Sequence, residues 1–310
     1  MNFVYILRCA DDTYYTGWTN HLTDRLAAHN HGAAGAKYTR SRRPVRLVYC
    51  EMLPDRNAAM KREVEIKRMK RAAKQKLIDS LADGEQLAIY DANETEAGVM
   101  PRALVHRYGL RHHVCHLWLV QERNGVLGHW LQQRADDRPL YPGLYDLAAT
   151  GHIDPGETPL DGVLREAREE IGLHLTKEQV LSIGTAEQRY ERPDGGFDDE
   201  LVYAFVTRLD GAPPFAIGRE VKRMIWVPFH EHQKAENGEE RIETEGEQIV
   251  CSQMCCLHKG EWILFERHLR GGQALQKTCR KSEKRVDKGM EVSYTNQAAS
   301  RGAAARTEKT

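Results

Sequence analysis

The chain has 310 residues, and its 45 Lys and Arg balance 45 Asp and Glu. That length exceeds one ordinary domain, and 41% hydrophobic with 29% charged residues excludes a disordered, collagenous or membrane-spanning chain. A formal net charge of zero, taken over the whole chain, argues against a protein that coats nucleic acid along its entire length.

The N-terminal run FVYIL before Arg8 is too short for a signal-peptide core, and no uncharged apolar stretch approaches the roughly 18 residues of a membrane span. Seven cysteines, an odd number spread over Cys9, Cys50, Cys115, Cys251, Cys255, Cys256 and Cys279, imply no disulfide framework. A cytoplasmic protein without membrane contact is expected. Charge is not evenly distributed: residues 1–85 hold 16 basic against 10 acidic residues, residues 86–235 hold 16 against 23, and the remainder 13 against 12.

In chain order, FVYILR (3–8) and YYTGW (14–18) predict a short hairpin across the turn residues ADDT. TNHLTDRLAAHN predicts a helix with Leu22 and Leu26 at i, i+4 and Thr19 or Asn20 as N-cap. RRPVRLVYCE (42–51) predicts a third strand, with Pro44 at its start or on an edge. Residues 57–82 predict one long helix. A small strand follows 84, periodicity fades through ANETEAG, and a domain boundary is placed near 84.

Beyond it, HVCHLWLVQE (113–122) and HWLQQR (129–134) flank an Asn-Gly turn, a strand is expected near 145–153, and a helix over 159–172. LVYAFVTRL (201–209) and VKRMIWVPF (221–229) predict two more strands, and AENGEERIETEGEQ predicts a loop. QIVCSQMCCL and WILFERHL are expected to return as an element of the same domain, giving a second domain of 85–270. Residues 271–310 are polar, basic and poor in aromatics, as in a disordered tail. Cys251, Cys255, Cys256 and His258 lack the paired knuckles of a zinc site.

The sharpest pattern is GHIDPGETPLDGVLREAREEIGL (151–173). On a helix, Glu166, Glu169 and Glu170 fall within an arc of about 100°, beside the apolar arc of Leu160, Val163, Leu164, Ala167 and Ile171. Three carboxylates so placed repel one another, and a hard divalent cation such as Mg²⁺ or Mn²⁺ turns that repulsion into binding. A solvated acidic face is the alternative reading.

This segment resembles the Nudix box, Gly-x5-Glu-x7-Arg-Glu-U-x-Glu-Glu-x-Gly-U; Ala167 alone is smaller than the usual aliphatic residue. The resemblance extends over about 96–232, nearest the branch that contains isopentenyl-diphosphate isomerases. It implies hydrolysis of a nucleoside diphosphate linked to another moiety, with Glu166, Glu169 and Glu170 holding Mg²⁺, Arg165 orienting them and Glu157 close by. The general base is open among Glu170, Glu187 and Glu200. Isomerase activity is disfavoured: those enzymes use a cysteine leading to the box, where this chain has DLAATGHID, and Cys115 reads as core.

Tyr5, Tyr15, Gly17, Arg25, His29, Asn30 and Glu63 each have an ordinary packing or surface explanation. Together, in VYIL, YYTGWTNHLTDRLAAHN, AKYTRSRRPVRLVYCE and AAMKREVEIKRMKRAAKQKLI, they resemble the GIY-YIG nuclease domain in its small stand-alone bacterial form, over roughly 2–80. The resemblance implies that Tyr5 and Tyr15 orient or activate water, Arg25 stabilises phosphoryl charge, His29 assists and Glu63 binds one divalent metal. The basic runs KREVEIKRMKRAAKQK and TRSRRPVR would then contact DNA phosphates. The expected fold is α/β (α+β) in two domains: a small GIY-YIG sheet with flanking helices, then a Nudix mixed-sheet α/β/α sandwich. The expected function is a metal-dependent hydrolase that joins nucleotide-diphosphate hydrolysis to DNA cleavage. The alternative is a Nudix enzyme whose N-terminal domain only binds nucleic acid.

Overall fold

The computed structural model describes residues 1–32, 34–211, 214–254, 259–270 and 293–295. The expected tail over 271–310 lies outside the described residues, save for a short strand at Ser293–Thr295. Cys255, Cys256 and His258 also lie outside them. No described helix is long and apolar enough to cross a membrane. The chain forms two compact units, one of Met1–His112 with 154–156 and 195–199, the other of the remaining residues.

The first unit is a mixed sheet in the order β4-β5-β3-β1-β2, made of β1 (Asn2–Cys9), β2 (Tyr14–Thr19), β3 (Val45–Leu53), β4 (Gln86–Tyr90) and β5 (Glu96–Pro101). β1 is central and antiparallel to both neighbours, so Tyr5 sits between Gly17 and Cys50. Strand alternation sends Phe3, Tyr5, Leu7 and Cys9 to one face, where they meet Leu22 and Leu26 of α1 (Leu22–Asn30) and Val105 of α5 (Arg102–Tyr108). Val4 and Ile6 go to the other face, against Ala59 and Ile66 of α3 (Arg56–Arg68) and Leu77 and Ile78 of α4 (Arg71–Asp79). A four-residue helix, α2 (Lys37–Arg40), follows α1.

Three expectations change here. The single helix over 57–82 is two, because Met69 and Lys70 are extended (ψ 140° and 158°). The break turns α4 onto the β1–β2 turn, where Arg71 pairs with Asp12 at 2.5 Å and Tyr14 donates to Gln75 at 2.5 Å. The α1 N-cap is His21, not Thr19 or Asn20; the Thr19 hydroxyl is turned to the His21 backbone. The ANETEAG stretch is a hairpin turn, because Asp91 Oδ1 accepts from the backbone N–H of Asn93 and Thr95 and so closes β4 onto β5.

In the second unit β6 (His112–Arg123) pairs with β7 (Val126–Arg134) and β9 (Ala149–His152) and neighbours β11 (Phe197–Arg208). β8 (Tyr145–Leu147) and β12 (Val221–Pro228) pair with β7, and β10 (Leu181–Glu191) lies beside β11. Cys115, Leu117 and Leu119 face α6 (Pro159–Ile171). Trp118 and Val120 face α7 (Phe229–Glu236), the hairpin β13–β14 (Arg241–Glu243, Gln248–Val250) and α8 (Lys259–Arg270). The result is an α/β/α sandwich. The expected loop over AENGEERIETEGEQ thus contains β13 and the start of β14, and WILFERHL does return as an element of this unit.

Candidate functional site

Each unit gathers one cluster of polar side chains. In the first, Tyr5 points from the central strand toward α1, its hydroxyl 2.8 Å from His29 Nε2. Arg25 lies one helical turn before His29, and its Nε donates to the same hydroxyl at 3.2 Å. Tyr15 meets the His29 ring edge-on, centroids 5.0 Å apart. The close approach depends on Gly17: a Cβ there would fall 2.5 Å from the Tyr5 hydroxyl oxygen. Burial lifts the Tyr5 phenol well above the ordinary value, against the lowering effect of Arg25, and the nearby charge of Glu63 lifts it further. Burial, then the Arg25 and Arg43 charges, pull His29 down to about 4, so its imidazole is neutral at pH 7.

Glu63 stands on α3, on the opposite helical layer, half-buried and paired with Lys67 at 3.0 Å. As a lone hard carboxylate near Tyr5 it fits one divalent cation. Residues to which the sequence assigned no individual catalytic role complete the cluster. Thr39 of α2 places its hydroxyl 2.8 Å from His29 Nδ1. Arg43 donates to the His29 and Gly32 carbonyls, both at 2.6 Å. Asn30 exchanges two hydrogen bonds with the Val45 backbone, which pins the end of α1 to β3.

In the second unit α6 starts at a Thr158 cap that accepts from Asp161 N–H, with Pro159 in the first turn, and stops at Gly172 in the left-handed conformation. Ala167 is fully buried beneath β9, which explains why a small residue occupies that box position. Arg165 is the hub. It donates to both Glu157 oxygens at 3.1 and 3.0 Å, to Glu166 at 2.6 Å, to Glu169 at 3.5 Å and to the His152 carbonyl at 2.8 Å. Gly151 admits the Glu166 carboxylate, into which any side chain at 151 would collide. Glu170 is buried, and Gln132 Nε2 and the Thr150 N–H both donate to its Oε2 at 2.9 Å.

Burial raises Glu166 and Glu170 above the usual carboxylate range, and their mutual repulsion raises Glu170 further. Three carboxylates thus surround one guanidinium, Glu170 lies buried beside them on Gln132 and Thr150, and Glu166 and Glu170 are held where negative charge is costly. That donor set fits a hard divalent cation, which would restore both to the ionised form. Glu187 and Glu200, the other expected base candidates, lie on β10 and β11. Cys115 is fully buried with its thiol pushed up by burial, as a core residue should be. Gln132 was not foreseen; nothing distinguishes it in HWLQQR.

A tyrosine–histidine–arginine cluster on a small mixed sheet and an arginine-centred carboxylate helix in an α/β/α sandwich define a hydrolase with two catalytic-type domains. The family models that match are the GIY-YIG catalytic domain over residues 1–77 and the NUDIX domain over residues 109–244. A UPF0213 protein of Syntrophus aciditrophicus is 56% identical over 77 residues, 25% of this chain and 88% of the relative. One of Clostridium perfringens is 51% identical over 86 residues, 28% of this chain and 91% of the relative. The chain belongs to the UPF0213 family of GIY-YIG proteins, and it carries a NUDIX hydrolase domain behind that unit. Solved structures with similarity include a Caenorhabditis elegans Ap4A hydrolase binary complex (18% identity, TM-score 0.36, 52% of this chain and 98% of that one). Another is a MutT protein of Methanosarcina mazei (17% identity, TM-score 0.36, 53% and 96%).

Proposed function

We propose that the protein is a bifunctional metal-dependent hydrolase: a DNA phosphodiesterase in the first unit, and in the second a pyrophosphohydrolase of nucleoside diphosphates linked to another moiety. What supports this is that each unit gathers side chains far apart in sequence. Tyr5, His29 and Arg25 are in contact, with the Glu63 charge nearby on a third element; Arg165 joins Glu157, Glu166 and Glu169, and Glu170 meets Gln132 and Thr150.

In the first unit Tyr5 Oη would take a proton from water as its own proton passes to His29 Nε2; the water oxygen would bond to phosphorus as the phosphorus–oxygen bond to the sugar breaks and the departing oxygen takes a proton from solvent. Arg25 favours the phenolate and stabilises the added phosphoryl charge. Tyr15 packs against His29 and holds its ring. Glu63 would hold a divalent ion, Mg²⁺ or Mn²⁺. In the second unit Glu166, Glu169 and Glu170 would hold Mg²⁺, while Arg165 keeps Glu157, Glu166 and Glu169 in place and Gln132 with the Thr150 N–H fixes Glu170. When bound, such ions would supply charge neutralisation at phosphoryl oxygens and a more acidic water. The basic residues of α3, α4 and the 37–46 segment contact DNA phosphates.

The test is cleavage of branched and linear DNA, and of a nucleotide-diphosphate panel, with Mg²⁺ or Mn²⁺, by the wild type, Glu63→Gln and Glu169→Gln. Glu63→Gln should lose DNA cleavage and Glu169→Gln nucleotide hydrolysis, each by about a hundredfold or more. A wild type that cuts no DNA yet retains it in a salt-dependent manner would make the first unit a binding module. Unchanged turnover in Glu169→Gln would remove the metal assignment.

A further inference from the structure

We propose that Thr39 is a positioning residue: it fixes His29 in the Nδ1–H tautomer and thereby reserves Nε2 to accept the Tyr5 proton. The catalytic consequence rests on the nuclease reading above; the tautomer does not.

Two contacts favour the same proton placement. A threonine hydroxyl has one hydrogen, and the Ala36 carbonyl at 3.0 Å is placed to accept it. With that bond made, only lone pairs of the Thr39 oxygen are left for His29 Nδ1 at 2.8 Å, which puts the ring hydrogen on Nδ1. At the other end, Tyr5 Oη accepts from Arg25 Nε–H at 3.2 Å, and its own hydrogen requires an acceptor. Among the described residues the partner that supplies one is His29 Nε2, at 2.8 Å. Tyr5, His29 and Thr39 are each fully buried, so solvent does not stand in for any of these partners. Burial and the Arg25 and Arg43 charges keep the ring neutral, which leaves the tautomer as its one variable.

The surrounding backbone is built to hold this geometry. Arg43 grips the His29 and Gly32 carbonyls at the end of α1, and Asn30 ties the same turn to Val45. The single turn of α2 carries Thr39 into the gap, with its backbone N–H on the same Ala36 carbonyl at 3.0 Å. Without the hydroxyl, Nδ1–H would be a buried donor with no acceptor, and the ring would favour Nε2–H. That form turns a hydrogen toward Tyr5 and blocks the transfer.

The experiment uses the full chain with ¹⁵N-labelled histidine and compares wild type, Thr39→Ser and Thr39→Val. Long-range ¹⁵N–¹H correlation reads the His29 tautomer, and cleavage of branched DNA with Mg²⁺ gives kcat and KM. Wild type and Thr39→Ser should hold Nδ1–H and cleave alike to within about twofold. Thr39→Val should move toward Nε2–H and lose about tenfold or more in kcat, with KM nearly unchanged. A wild-type His29 in the Nε2–H form overturns the assignment, whether or not Thr39→Val folds. A Thr39→Val protein that shifts tautomer but keeps its kcat overturns the positioning role. A wild type that cleaves no DNA refutes the nuclease reading, and the wild-type spectrum still decides the tautomer.

Discussion

His29 sits among two arginines and no solvent, and that environment gives it both its chemistry and a thermodynamic signature. Burial, then the Arg25 and Arg43 charges, hold its imidazole down to about 4, below the ordinary 6.5. Above pH 6.5 the imidazole is neutral in both states, and its contribution to folding is fully present. As the pH falls below 6.5 the unfolded chain takes up a proton that the folded site refuses until about 4, so stability is lost across that window. At about 1.4 kcal/mol per pKa unit the loss is on the order of 3 kcal/mol. His29→Gln should remove that part of the acid destabilisation; urea titrations at pH 7 and 4.5 would measure it, and parallel losses in both proteins would contradict it. Tyr5, Tyr15, Arg25 and His29 were legible because the resemblance assigns them by pattern. The placing of Thr39, Arg43 and Gln132 at the clusters was not, because it rests on hydrogen bonds to residues ten or more positions away, which leave no periodicity or spacing behind.

At the level of elements, α6 was legible from its apolar arc and its terminal glycine, both local signals, while its Thr158 cap emerged from the structure. The split between α3 and α4 was not, since helical periodicity continues through 69–70 and the break is imposed by contacts with Asp12 and Tyr14. The clearest case of tertiary control is α8. Its Glu261 is completely buried and faces His116 Nδ1 at 2.9 Å, while accepting from Trp118 Nε1 at 3.3 Å and Gln188 Nε2 at 3.1 Å. A carboxylate desolvated to that degree is tolerated only with such partners, and removing it takes this acceptor away from the buried His116 and Trp118 and the half-buried Gln188. Glu261→Ala should cost about 3 kcal/mol in urea unfolding and release α8, with a red shift of Trp262 emission. Stability within about 0.5 kcal/mol of wild type would show that apolar packing alone seats the helix.

Across the molecule, the zero net charge is the sum of a basic unit and an acidic one, and the two proposed activities should therefore respond differently to ionic strength. DNA retention by the first unit depends on releasing counterions from phosphates, so raising salt from about 50 to about 200 mM should weaken it at least about tenfold. Nucleotide hydrolysis by the second unit is set by carboxylates grouped around Arg165 and should change little over the same range. Equal sensitivity of both would contradict the assignment of DNA contact to residues of the first unit.

The aromatic stack beneath β6 carries a consequence for inheritance. Trp118 lies on Phe265 with ring centroids 5.1 Å apart and near Trp262 at 5.9 Å, so the face of the sheet behind the carboxylate helix is sealed by residues nearly a hundred positions past the box. A recombination event that carried only the box and its strands into another gene would deliver an indole open to water and a sheet prone to self-association. The portion that would keep this sheet covered in a new context therefore extends to α8, well beyond the segment that makes it recognisable.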